Sequence, residues 1–189
     1  MTNRLCRIFA TLLLAVPLLL TAAAQPGLAQ GKPAASIVVI DTQEIYRESS
    51  AVKQLQEHIN QQRTAYQDQI RKQEDDLRKD DQELQKQRAL LSNEAYAEKR
   101  RGLEEKLTTL QREVQVRKRG LEKLFAEGMN RVRRSLVEIS QEIAKARGAD
   151  LVIEKSAVVL VKPELEITKE VLAGLNKKLP AIDIGSLQN

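Results

Sequence analysis

The sequence predicts a mainly α-helical protein, in which a long antiparallel coiled-coil hairpin is flanked by short β-strands. Three observations support this fold class. No proline lies between Ala51 and Arg147, so that segment can be helical almost throughout. Turn-forming residues occur near its middle, and apolar β-branched runs lie at both of its ends. Charged residues make up 30% of the chain and aromatic residues only 3%, which favours elongated packing over a compact globule.

The first 29 residues are predicted to be a cleaved signal peptide. A basic start precedes an apolar run, residues 8–20, which is shorter than the roughly 20 residues needed to span a bilayer. Small residues then offer cleavage after Ala24 or after Ala29. The alternative is a membrane anchor, which Pro17 and the small residues after the run disfavour. The sequence therefore predicts an exported protein.

Cysteine content and charge narrow the possible functions. The single cysteine, Cys6, lies in the predicted leader, so the mature chain has neither a disulfide framework nor a thiol nucleophile. Removal of Arg4 and Arg7 with the leader lowers the formal net charge from +5 to +3. A basic excess is typical of nucleic-acid-binding proteins, but export argues against that partner. Anionic lipid or lipopolysaccharide surfaces suit the charge better.

The helical hairpin is predicted over residues 51–147, with its tip near residues 89–95. Ser92 is a good N-cap, and Glu94 favours the positive end of a new helix. This point divides the segment into two arms of similar length, each roughly 60 Å or more at about 1.5 Å per residue. Residues on either side of the hairpin, 30–50 and 148–189, are predicted to form one small β-rich base.

Apolar residues at coiled-coil spacing predict a seam, the line along which the two arms pack, but an incomplete one. In the second arm Arg117 stands where an apolar residue is expected, and the pattern resumes at Phe125, shifted by one residue. In the outer first arm only one apolar residue remains per heptad, which predicts a firm base and weakly held tips. Gly102, Gly120 and Gly128 either add flexibility or are tolerated surface positions.

Short strands are predicted on both sides of the hairpin. The run Ile37–Ile40 has four consecutive apolar residues, typical of a strand covered on both faces, and Asp41 follows as an N-cap. Gly148 is the expected stop of the hairpin, and residues 151–153 and 157–161 are interpreted as two further strands. Because the two ends of a hairpin lie together, these strands are expected to form one three-stranded sheet.

A short C-terminal helix is predicted to complete the base. Thr168 is its expected N-cap and Pro180 its end, and the tail to Asn189 is expected to fray. A base this small is marginal alone, and one helix cannot cover both apolar faces of the sheet. Copies of the chain are therefore expected to join through an oligomerisation core of Ile37, Val39, Ile40, Leu151, Ile153 and Val159. The alternative is a monomer with a loosely covered sheet.

Three segments carry a family resemblance: IVVIDTQEIY from Ile37, ADLVIEKSAV from Ala149 and EITKEVL from Glu166, with a Gln/Lys/Glu-rich hairpin between the first two. Together they resemble the OmpH family, over essentially the whole mature chain. The resemblance implies a periplasmic homotrimer whose three bases form a small barrel-like body and whose three hairpins enclose a cavity. It also implies that unfolded outer-membrane β-barrel proteins are held there without ATP, and that there are no catalytic residues.

Other potential sites give weaker signals. The resemblance implies contact with lipopolysaccharide through basic residues, for which Lys99, Arg100 and Arg101 are candidates; the alternative is a solvated charge run. The lone histidine, His58, is interpreted as solvent-facing, and no metal site, phosphate loop or cofactor site is predicted. Acidic residues around Asp80 are expected to pair across the arms. The sequence thus predicts no enzyme, and the alternative to a chaperone is a coiled-coil spacer or adaptor of the cell envelope.

Overall fold

Two long helices dominate the computed structural model, which describes residues 35–185. The predicted signal peptide, residues 1–29, lies outside these residues. Two short strands and two short helices accompany the hairpin. In chain order the elements are β1 (Ile37–Ile40), α1 (Thr42–Glu48), α2 (Ser50–Lys86), α3 (Asn93–Ala146), β2 (Leu151–Glu154) and α4 (Thr168–Lys178). None of the helices in residues 35–185 contains an apolar stretch of the length that a transmembrane span requires.

The ends of α3 follow from local capping chemistry. A short 3-10 turn, Gln87–Ala89, ends the first arm, and Ser92 caps the second because its Oγ accepts a hydrogen bond from Ala95 N at 3.1 Å. At the other end Gly148 has a φ of 64°. The Ala149 amide donates to Ala144 O at 2.8 Å, which closes the helix in the manner typical of a left-handed glycine stop.

The base contains a two-stranded parallel sheet, not the three-stranded sheet that the sequence predicts. β1 pairs with β2 from Ile37 opposite Leu151 to Ile40 opposite Glu154. The predicted third strand, residues 157–161, is wrong for the single chain. A 3-10 turn at Lys155–Ala157 precedes it, and Val159 is fully exposed. On the other side of β1 only an isolated bridge to Glu166 forms.

The predicted cap of the C-terminal helix is also wrong. Thr168 is the first residue of α4, and the N-cap is Ile167, whose side chain makes no capping hydrogen bond. The Thr168 hydroxyl instead accepts a hydrogen bond from Asp41 N at 2.9 Å. A tertiary contact over 127 residues has therefore replaced the local cap, and it ties α4 to the point where β1 meets α1.

The core lies where the lower hairpin meets α1 and α4. Its fully buried side chains include Ile45 from α1, Leu55 from α2, Val132 from α3 and Leu175 from α4. The segment after α4 belongs to this core as well, because Ile182 is only 7% exposed. The prediction that the tail frays is therefore wrong for the residues just beyond Pro180.

The outer arms bury much less apolar surface than the base. Along α2 no side chain is buried between Ile59 and Leu84, and along α3 none is buried between Leu110 and Leu124. The glycines differ in their surroundings. Space around Gly102 and Gly120 is open, whereas a Cβ atom on Gly128 would lie 2.6 Å from a methyl carbon of Leu55. Gly128 thus allows close packing of the two arms. The sequence alone predicts either added flexibility or a tolerated surface position there.

Candidate functional site

A stacked pair interrupts the seam about halfway along the hairpin. The guanidinium of Arg117 lies over the ring of Tyr66, 4.6 Å from its centroid. The same guanidinium donates hydrogen bonds to Glu113 on its own helix and to Gln69 on the other arm. Arg117 can therefore stand in the seam where an apolar residue is expected. The face of its guanidinium packs on the Tyr66 ring, and its N–H groups bond to Glu113 and Gln69.

Beside this stack lies a cavity of about 620 Å³ between the two arms, which we term the Phe125 groove. Its apolar lining comes from both arms: Ile59, Tyr66, Ile70, Val114, Leu121 and Phe125. Phe125 was predicted to lie in the seam, but it is 37% exposed, while the adjacent Leu124 is buried. Leu124 and Gly128 are buried and Leu121 is partly buried, and this helical spacing places Phe125 outside the seam, in the lining of the groove.

The rim of the Phe125 groove carries an excess of positive charge. Arg63, Arg117 and Lys118 line it against a single acidic residue, Glu122. Within the described residues Arg63 donates to Asn60 Oδ1 alone, at 3.3 Å. Lys118 makes no ion pair with any residue in the range 35–185. Two of the three cations are thus available to an acidic ligand, because among residues 35–185 only Arg117 of these three has a carboxylate partner.

The basic residues predicted near the tip do not form one site. Lys99 donates to Gln87 Oε1 at 2.9 Å, across the turn. Arg100 pairs with Glu104 at 3.2 Å, and that hydrogen bond raises the pKa of Arg100. Arg101 has no carboxylate partner within the described chain. At the turn itself the apolar side chain of Leu90 is 85% exposed to solvent, two residues after Arg88.

The six residues of the predicted oligomerisation core fall into two groups. Val39 and Ile40 are buried inside the single chain, at 2% and 8% exposure. Ile37, Leu151 and Val159 are exposed at 36%, 49% and 106%, and Ile153 is partly buried. A partner chain could cover the exposed members of this set, Ile37, Leu151 and Val159.

The histidine and the acidic stretch of α2 are the remaining candidates from the sequence. Within residues 35–185 there is no group of three or more His, Cys, Asp or Glu side chains placed to hold a metal ion. His58 is partly buried, not solvent-facing, and its Nε2 has no hydrogen-bond partner. The acidic stretch of α2 makes one cross-arm ion pair, Asp80 with Lys106 at 2.8 Å.

Comparison with known proteins decides the family. The family model described as outer membrane protein (OmpH-like) matches residues 36–175. The chain belongs to the OmpH family. A search of curated proteins gives no match to this OmpH-family chain.

The fold of this OmpH-family protein is also found in a solved structure. A crystal structure from Caulobacter crescentus CB15, assigned as an outer membrane chaperone (OmpH-like), superposes with a TM-score of 0.73 at 18% sequence identity. The match covers 80% of this chain and 90% of the other. The mainly helical hairpin fold with a small sheet is thus shared between the two.

Proposed function

We propose that this OmpH-family protein is an ATP-independent holdase chaperone of the periplasm that binds unfolded outer-membrane proteins. One observation carries the proposal. The hairpin leaves apolar side chains in reach of solvent along its length, including Leu107, Val116 and Phe125, among basic residues. A surface of many weak apolar and cationic contacts suits clients with diverse sequences, because several such contacts together give tight retention without a specific site.

Self-assembly is the second part of the proposal. The outer edge of β2 has no strand partner in the described residues, and residues 158–161 form an apolar segment that also pairs with no strand there. Val159 and Leu160 are exposed at 106% and 87%. Pairing of this segment with another copy would satisfy its backbone groups and cover its side chains. Three copies joined in this way would place three hairpins around a shared space.

An aggregation assay tests the chaperone role. An unfolded outer-membrane β-barrel protein is diluted from urea into buffer without nucleotide, and light scattering is followed over time. We expect suppression of scattering at a stoichiometric ratio of chaperone trimer to client. Absence of suppression would reject the holdase and favour the alternative, a structural spacer or adaptor of the envelope.

Oligomeric state is tested separately by light scattering coupled to gel filtration. The wild-type protein is expected at the mass of a trimer. Val159→Asp should reduce that mass, because it places a charge where a partner strand would pack. Val116→Asp changes an exposed residue on the arm and serves as the matched control, with its mass unchanged. A wild-type protein at the mass of a single chain would reject the assembly.

A second candidate function is contact with an anionic lipid or lipopolysaccharide surface at the hairpin tip. The exposed side chain of Leu90 is the observation that favours it, together with the basic residues Lys99, Arg100 and Arg101. Basic residues attract an anionic surface, and an apolar side chain can enter it. Vesicles with and without anionic lipid test this contact. Binding that is equal for wild type and Leu90→Ser would reject a role for the tip.

A further inference from the structure

We infer that the Phe125 groove binds aromatic side chains of unfolded client segments that carry neighbouring carboxylates. This inference rests on the proposed chaperone function and names the chemistry of its preferred client segments. The groove is the one place on the described hairpin where an exposed aromatic ring, an aromatic stack and unpaired cations meet.

Aromatic residues are rare in this protein, which makes their position informative. The chain has three Tyr, two Phe and no Trp, and Tyr66 and Phe125 both line the groove. Phe125 is the only phenylalanine outside the predicted leader. Its ring lies 37% exposed on α3, although Leu124 beside it supplies the buried contact with the other arm. Aromatic rings pair favourably edge to face or offset, so a partly exposed ring in a groove is suited to receive another.

Charge sets the second feature of the ligand. Lys118 and Arg63 stand on the rim from opposite arms, and neither has a carboxylate partner in residues 35–185. Arg117 is already paired with Glu113, so it shapes the groove and is not counted among the free cations. Two free cations against Glu122 favour a segment with Asp or Glu next to its aromatic residue, and disfavour one with Lys or Arg.

The dimensions of the groove limit what enters it. With a volume of about 620 Å³, this solvent-accessible groove accommodates a few side chains and not a folded domain. An open groove of this kind exchanges ligands readily. Client retention would then come from several such grooves acting together in an assembly, each one holding a short segment.

Peptide probes test the ligand chemistry on the purified full-length protein. The first is a labelled twelve-residue unstructured peptide with two Phe residues flanked by Asp. The second carries Lys in place of Asp, and the third carries Ala in place of Phe. Fluorescence anisotropy should give the tightest binding for the first peptide, by about three- to tenfold over each of the others. Equal affinity for the three peptides would overturn the inference.

Variants locate the binding site. Phe125→Ala and Lys118→Glu should each weaken the first peptide by about three- to tenfold. Val137→Ala removes another half-exposed apolar side chain of α3, and Arg119→Glu makes the same kind of charge change one residue away, outside the groove. These two controls should bind as the wild type does. Equal losses in variants and controls would show that general surface character, and not the groove, determines binding.

Two further measurements separate this inference from its alternatives. If Phe125→Ala lowers the mass measured by light scattering, the groove is a contact between copies and the inference fails. If Phe125→Ala loses peptide binding but still suppresses aggregation of a β-barrel whose segments lack the acidic-aromatic pattern, the inference and the holdase function both stand. If the wild type fails to suppress any aggregation, the function fails whatever the peptides show.

Discussion

Gly128 on α3 lies directly against Leu55 on α2, at the level where the lower hairpin joins the core. A Cβ atom at Gly128 would lie 2.6 Å from Leu55 Cδ2 and 3.4 Å from Ile182 Cδ1. Leu55 is only 1% exposed, so its side chain has little room to move away. The absence of a side chain at Gly128 thus lets the two helices and the C-terminal segment meet closely.

Gly128→Ala should therefore destabilise the protein. Alanine improves helix propensity by about 0.8–1 kcal/mol, but overpacking a buried contact costs about 1–3 kcal/mol. We expect a net loss of up to about 2 kcal/mol in the free energy of unfolding, measured by urea denaturation. Gly120→Ala is the matched control, because its surroundings are open and it should gain up to about 1 kcal/mol. Equal effects of the two substitutions would contradict the close contact.

The start of α2 depends on α4 in the same region. Ser49, its N-cap, makes no side-chain capping bond. Instead Asn176 Oδ1 accepts a hydrogen bond from Ser50 N at 2.9 Å, so a residue of α4 caps α2 from outside. Pro180 O accepts another from Gln54 Nε2 at 3.0 Å. The root of the first arm is therefore fixed by residues more than a hundred positions away.

We expect Asn176→Ala to lower the free energy of unfolding by about 1 kcal/mol, since it leaves an amide of the first turn without its acceptor. Hydrogen exchange at the Ser50 amide should rise in parallel. Asn130→Ala is the control, because Asn130 bonds only to Arg133 on an exposed face. Unchanged exchange at Ser50 in Asn176→Ala would show that water replaces the cap without cost.

Features that depend on neighbouring residues could be predicted from the sequence. Ser92 caps α3 and Gly148 stops it, because each acts on backbone groups within five residues of itself. Asp41 likewise accepts from Glu44 N at 2.8 Å, as its spacing predicts. The small number of buried side chains in the outer seam could also be predicted, since that prediction requires only the spacing of apolar residues along each helix.

Features that depend on distant residues could not be predicted in this way. The Thr168 hydroxyl has the chemistry of a cap, but it bonds to Asp41 N instead because folding brings that amide close. Residues 157–161 have strand propensity but pair with no strand in the part of the chain that the structure describes. The contact between Tyr66 and Arg117 beside the groove does have a signal in the sequence. With the turn at Ser92, Tyr66 and Arg117 are similarly distant from the tip, so an arginine in the seam could be expected to meet that ring.

The ion pair between Glu166 and Lys155 makes stability depend on pH. Lys155 Nζ donates to Glu166 Oε1 at 2.7 Å, and this bond holds the pKa of Glu166 below its usual value of 4.5. The same bond raises the pKa of Lys155 above 10.5. A lowered carboxyl pKa gives stability that is fully present above the unfolded pKa and is lost as pH falls through the folded one. A raised lysine pKa gives stability that is lost as pH rises through the folded value.

Glu166→Gln should therefore destabilise the protein at neutral pH and have little effect in acid. The expected difference from wild type shrinks as pH falls through the lowered folded pKa of Glu166, because its carboxyl then becomes neutral, as the glutamine side chain is. Urea unfolding between pH 3 and pH 8 measures it. Both groups are partly exposed, so the difference should be small and should fall with added salt. A difference that is constant over this pH range would rule out the ion pair as its cause.

Burial along the hairpin predicts a gradient of hydrogen exchange. Residues 60–83 of α2 contain no buried side chain, whereas Ala51, Val52 and Leu55 near its start are all buried. Local opening needs less free energy where few apolar contacts are lost. We expect the amides of residues 60–83 and 94–109 to exchange faster than those of residues 51–59 and 128–144, by mass spectrometry. Uniform protection along both arms would show that the outer hairpin is as stable as its root.

The width of the space between the arms should matter for client size. Leu77 and Leu110 line one cavity between the two arms, in the thinly packed outer half of the hairpin. Since Cys6 is the only natural cysteine and lies in the predicted leader, cysteines at these two positions would form a unique pair. Oxidation would then tie the arms together and restrict their opening, while the reduced protein is a control of identical sequence.

We expect the oxidised Leu77→Cys, Leu110→Cys protein to hold small β-barrel clients as well as the reduced form does, but to hold large ones less well. In the proposed assembly a large client would need the hairpins to bend outward, and a crosslinked pair of arms would resist this. Aggregation of one small and one large unfolded barrel, followed by light scattering under oxidising and reducing conditions, measures the effect. If oxidation changes retention of both clients equally, arm flexibility does not set client size, and the fixed dimensions of the base must do so instead.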